Sequence, residues 1–120
     1  MTERDVGDGP DRFEELVADA MDGLPDWVHE RLDNVEVLVE DEPPADQPNL
    51  LGLYEGIPLT GRGFGYSGVL PDRITIFRAS IEAHARTDED LRRLVAETVV
   101  HEVAHFFGIS DDRLLELGRE

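Results

Sequence analysis

Cysteine is absent from the 120 residues, which excludes disulfides and any zinc or iron–sulfur site held by thiolates. A metal could be held only by His, Asp or Glu. Lysine is absent as well: all 11 basic residues are arginines, set against 28 acids for a formal charge of −17. A surface of that sign repels nucleic acid and anionic membranes, so neither is an expected partner. It suits a basic partner or substrate, or a heavily hydrated surface that keeps the chain in solution. No apolar run approaches the roughly 20 residues needed to span a bilayer. The first ten residues, Met1 to Pro10, are acidic and have no apolar centre, unlike a secretory or transit segment, so a cytoplasmic location is expected.

What remains is enough for one modest core. The length and an apolar content of 40% suit a single domain over 11–120, with 1–10 as a flexible N-terminal segment. Phe13, Leu16, Val17, Ala20 and Met21 recur at helical spacing, predicting an amphipathic helix that ends near Gly23. Met21 belongs to its core face. A second short helix is expected from Pro25 to Leu32, with Trp27 and Val28 turned inward. His29 lies in it with nothing polar converging on it.

Asn34 to Glu40 is β-rich and partly alternating, and an acidic, proline-rich loop follows over 41–48. Leu50 to Glu55 forms a second strand candidate, which Ile57 to Thr60 could continue across a bend at Gly56. Asp72 to Arg78 alternates polar and apolar until Phe77 and forms a third, half-buried strand. As the last strand before the C-terminal helix it is a candidate edge for pairing with an extended peptide. Between these strands lies Gly61 to Gly68, a hairpin connection that could fold as a flap. Its Gly63-x-Gly65-x-x-Gly68 spacing matches a dinucleotide fingerprint, but Val69-Leu70-Pro71 does not start the helix that fingerprint needs.

The chemistry is concentrated near the C-terminus, in His101-Glu102-Val103-Ala104-His105-Phe106-Phe107-Gly108-Ile109-Ser110-Asp111. Thr87-Asp-Glu-Asp90 caps the helix that carries this run, expected over 88–107. Its second half is apolar around much of its circumference, as in a central buried helix. Residues four apart lie about 40° apart around a helix, so His101 and His105 can aim two imidazoles at one point. Glu102 stands about 100° round from His101, placed to act as a base on water held between them. Gly108 suits a left-handed helix terminus, after which the chain can return Asp111 as a third ligand. Asp112 is the adjacent alternative. Two nitrogens, one carboxylate and an open position make the donor set of a catalytic zinc site, though other divalent ions fit it too. Glu97, one turn before His101, could orient its ring. Asp111 to Leu117 forms a short final helix candidate.

The run from His101 to Asp111 resembles the motif of the minimal-zincin family, small bacterial zinc metallopeptidases. Leu50-Leu-Gly-Leu-Tyr-Glu-Gly-Ile-Pro-Leu59, Pro71-Asp-Arg-Ile-Thr-Ile-Phe-Arg78 and Thr98-Val-Val-His-Glu-Val-Ala-His105 are similar to further segments of that family. The resemblance implies an α+β domain, with a small mixed sheet of about three to four strands packed against the long helix and the N-terminal helices. It also implies His101, His105 and Asp111 as ligands of one zinc ion and Glu102 as catalytic acid/base. Unlike metzincins, the chain has Asp111 where they place a third histidine, and its two methionines, Met1 and Met21, leave no methionine turn.

The expected activity is hydrolysis of peptide bonds in short or extended peptides, with monomer as the default state. Tyr54, Tyr66, Arg78 and His84 are candidate donors to the oxyanion. Two other readings compete. One is a metal- or peptide-binding module without catalysis. The other is a metal-dependent endoribonuclease of similar histidine spacing, which Glu102 and the acidic charge oppose.

Overall fold

The computed structural model describes residues 9–57 and 71–109. Helix α1 (Gly9–Asp22) and the short α2 (Asp26–Arg31) precede strands β1 (Val35–Glu40), β2 (Gly52–Glu55) and β3 (Asp72–Phe77). Helix α3 (Arg78–His84) and the long α4 (Asp88–Phe106) follow. Among the described residues the sheet has three strands in the order β1-β3-β2, with β1 parallel and β2 antiparallel to β3. This is the expected α+β architecture with a small mixed sheet.

Side-chain periodicity explains how the layers meet. Ile74 and Ile76, two apart on β3, point to one face and are fully buried. Phe13, Leu16 and Val17 of α1 meet the same core, as do Leu91, Val95, Val99 and Val103, which recur every four residues along α4. Helix α4 is thus wedged between α1 and the sheet. Its first turn is fixed by Thr87, whose Oγ1 accepts from the Asp90 N–H at 3.0 Å, and by Asp88, which receives Arg12 of α1 at 3.2 Å. No helix among the described residues is long and apolar enough to cross a membrane.

Some expectations are corrected. Helix α1 starts at Gly9, with Pro10 in its first turn, where a missing N–H costs nothing, so the helix reaches into the segment taken as flexible. Trp27 does not turn inward: it is 58% exposed while Val28 is buried. Neighbours on a six-residue helix point about 100° apart, so one of them must leave the core. Strand β3 is interior, bonded on both sides, and among the described strands the outer one beside α4 is β2. Helix α3 was not anticipated at all. Strand β2 also stops at Glu55: Gly56 has φ 150°, and Ile57 lies outside the strand. The rest of the proposed extension (58–60), the 61–68 loop and the final helix fall outside the described residues.

Candidate metal centre

Helix α4 ends one residue beyond His105, and the ending is what shapes the site. Gly108 takes φ 85°, the left-handed conformation expected from its spacing. Its N–H bonds to the His105 carbonyl at 2.9 Å, and the Ile109 N–H reaches back to the Ala104 carbonyl at 2.9 Å. That pair of bonds is the Schellman closure, which satisfies the last helical carbonyls and turns the chain sharply. His105 therefore sits in a capped, ordered last turn. A Cβ at a left-handed position costs about 1–2 kcal/mol, so Gly108→Ala should lower unfolding stability by about that much. A denaturant titration read by circular dichroism checks it; an unchanged midpoint would mean the turn does not depend on glycine.

The two imidazoles come together as the helical spacing requires. Their ring centroids are 4.7 Å apart with planes at 78°. Both rings are half-buried, at the boundary between the core face of α4 and solvent. Glu102 is nearer than its angle from His101 suggested, because His105, three residues on, is only about 60° away around the helix. Its Oε1 lies 3.1 Å from His105 Nδ1. With Glu102 ionised, a carboxylate that only accepts, a neutral His105 donates from Nδ1 and keeps its lone pair on Nε2. That is the tautomer a metal-binding imidazole uses when its other nitrogen is held by a carboxylate.

Among the described acids, Glu102 and Asp72 are the buried ones. Glu102 is 5% exposed, among the few charged side chains in the interior. Taking a carboxylate out of water costs several kcal/mol unless partners compensate. The compensation here comes from the His105 imidazole, and Glu102 itself lines a cleft.

One atom from each of His101, Glu102 and His105 lies within 4.8 Å of the others, a group that could hold a metal ion. The two imidazole nitrogens are donors that zinc accepts, with the Glu102 carboxylate beside them, so the residues fit the ion. Asp111 and Asp112, the expected and alternative third ligands, lie outside the described residues, as does Tyr66.

The remaining candidates are placed elsewhere. The Tyr54 hydroxyl donates to the buried Asp72 at 2.6 Å. Arg78 spans Asp41 and Glu82, at 2.9 and 3.0 Å. The hydrogen bond to Asp41 raises its pKa further, against the lowering effect of burial. His84 bonds through Nδ1 to the Ser80 carbonyl at 2.8 Å. None of these three lines the cleft beside Glu102. Glu97 does line it, and pairs with Arg93 at 3.5 Å.

That cleft, about 380 Å³, runs between β2 and α4 and ends at His101 and Glu102. Gly52 lets the two elements close. A Cβ built there would stand 2.8 Å from Thr98 Cγ2 and 3.1 Å from Glu102 Cγ. Sequence reasoning missed Gly52 as a site residue; a glycine inside a strand pattern, the usual mark of close backbone approach, was the available signal.

The zincin-like metallopeptidase family model matches residues 32–119. A solved structure, a conserved hypothetical protein from Thermus thermophilus, is similar in fold: TM-score 0.60 and 24% identity, over 92% of this chain and 98% of the other. Among curated proteins none matches.

Proposed function

Given that the chain belongs to the zincin-like metallopeptidase family, we propose that it is a zinc-dependent peptidase acting on extended peptides. His101 and His105 would hold the ion, Asp111 would be the third ligand, and Glu102 would be the acid/base. The observation that carries this reading is the buried Glu102 carboxylate beside two imidazoles at the end of an open cleft. Zinc, when bound there, supplies a Lewis acid that makes water nucleophilic near neutral pH.

The chain's own residues do the rest. Glu102 accepts a proton from the attacking water as the new C–O bond forms. It returns that proton to the amide nitrogen as the C–N bond breaks. His105 is held by its bond to Glu102 and by the capped last turn. Strand β2 borders the same cleft through Gly52. Phe77 donates to the Leu51 carbonyl, so residues 51 and 53 bond inward to β3. The peptide groups of Gly52 and Tyr54 then turn away from β3.

The test is hydrolysis of a peptide mixture by the full chain, purified without an affinity tag and assayed with chelator, then with zinc restored. Cleavage should vanish with the chelator and return with about one equivalent of zinc. Cleavage indifferent to chelator would overturn the proposal. Zinc binding without any cleavage would favour a binding module.

A further inference from the structure

A second groove lies on the side of α4 turned away from the imidazoles. Val103 and Phe107 follow His101 and His105 by two residues each, which puts them about 160° round the helix. With Val100 they form one wall. Leu24, Pro25 and Trp27, at and after the turn that joins α1 to α2, form the other. The groove measures about 660 Å³.

Its composition differs from that of the chain as a whole. Charged residues make up 32% of the sequence, yet none of the ten that line the groove is charged. Three large apolar side chains stand exposed among the described residues, and two of them, Trp27 at 58% and Val100 at 36%, are here. Neither belongs to the hydrophobic core. An uncharged apolar patch with an exposed tryptophan has the composition of an interface core.

The surroundings say what kind of partner fits. Asp22, Asp26, Glu30 and Asp33 flank Trp27 in sequence against one cation, Arg31, and all five are exposed. Among the described residues none of these four acids forms an ion pair or a side-chain hydrogen bond. Arg12, Arg73, Arg78, Arg92 and Arg93 pair with acids elsewhere. The negative charge beside the groove is therefore left for a partner to meet. No strand contributes to the lining, and the turn amides of Gly23 and Leu24 already bond to the Asp19 and Met21 carbonyls. A partner must then bind through side chains, as a helix does, rather than by adding a strand.

We propose that this groove docks an amphipathic helix of another protein, with leucine-sized side chains on its apolar face and arginine or lysine on its flanks. None of the lining residues belongs to the metal centre, so docking stands or falls apart from the peptidase reading.

Trp27 is the chain's single tryptophan and reports the groove directly. Three tryptophan-free helical peptides are titrated into the full chain. The first has leucines on one face and arginines on the other, the second has alanines for the leucines, and the third has glutamates for the arginines. The leucine–arginine peptide should shift Trp27 emission to the blue, shield it from acrylamide and bind at least about tenfold tighter than either of the others. Its affinity should fall about tenfold between roughly 50 and 500 mM salt. Val100→Asp, a change at an exposed position, should weaken binding about tenfold. Asp26→Asn with Glu30→Gln should weaken it severalfold.

Equal affinity for the alanine–arginine peptide would mean that the acidic surface attracts any cation, and would overturn the groove. Equal affinity for the glutamate peptide, or a Val100→Asp protein that binds as its parent does, would overturn it too. Two other occupants have signatures of their own. A dimer in sedimentation velocity that Val100→Asp dissociates would assign the groove to a second copy. A Trp27 shielded from acrylamide in the free protein, and uncovered by Leu114→Asp with Leu115→Asp, would assign it to the chain's own C-terminal residues. Either result replaces the helical partner and sinks the proposal.

Discussion

Glu102→Gln is expected to lower peptide hydrolysis by about 10²–10⁴-fold with zinc still bound. The substitution is close to isosteric and keeps an oxygen that can accept the Nδ1–H of His105, now 3.1 Å from the carboxylate. What it removes is basicity: an amide cannot take a proton from water at neutral pH. It also removes a charge from a position only 5% exposed, so folding should be no weaker and could be stronger. This combination separates a base from a structural partner. A structural carboxylate would betray itself as a lowered melting temperature or a lost metal, with activity following folding. A base should lose turnover while the melting temperature does not fall and the zinc content, read by elemental analysis, stays level. Hydrolysis persisting near the unsubstituted rate would remove Glu102 from the proton path.

The parts of this site that could be read from sequence are those set by local geometry. His101 and His105 meet because four residues make just over one helical turn, whatever surrounds them. Thr87 and Gly108 frame the helix through bonds that span three to five residues. Beyond that range the reading weakens for physical reasons. Helix α3 has a single large, fully buried apolar side chain, Ile81, in seven residues and no side-chain cap. It is held by long-range terms instead, such as the Arg78–Asp41 pair at 2.9 Å and packing on α4. The alternation over 72–78 announces a strand but not its neighbours, so β3 looked like an edge until β1 and β2 were seen on either side. Trp27 was assigned inward on bulk, whereas the six residues of α2 had room for only Val28 in the core, leaving the indole against Phe107 at 5.6 Å between centroids.

Gly52 shows the same limit at the scale of one hydrogen atom, and Gly52→Ala should have a large effect. In a strand, alanine is favoured over glycine by roughly 0.5–1 kcal/mol on backbone grounds alone. Here the added methyl would stand 2.8 Å from Thr98 Cγ2, 3.1 Å from Glu102 Cγ and 3.2 Å from the Thr75 carbonyl oxygen. Two of those neighbours are buried on α4 and the third is backbone, so relief requires β2 and α4 to separate. Overpacking of that kind costs about 1–3 kcal/mol and outweighs the backbone gain. Because Glu102 is one of the atoms pushed, the loss in activity should exceed the loss in stability. A displacement near 1 Å at a reacting group costs up to about a hundredfold. Thr98→Ser supplies the control: it deletes the closest methyl and retains the hydroxyl that donates to the Leu94 carbonyl at 2.7 Å. The double variant should recover part of both losses, giving a coupling of about 1 kcal/mol in a double-mutant cycle. Strictly additive effects, or a Gly52→Ala protein as stable and active as its parent, would show that the close approach of β2 does not set the position of Glu102.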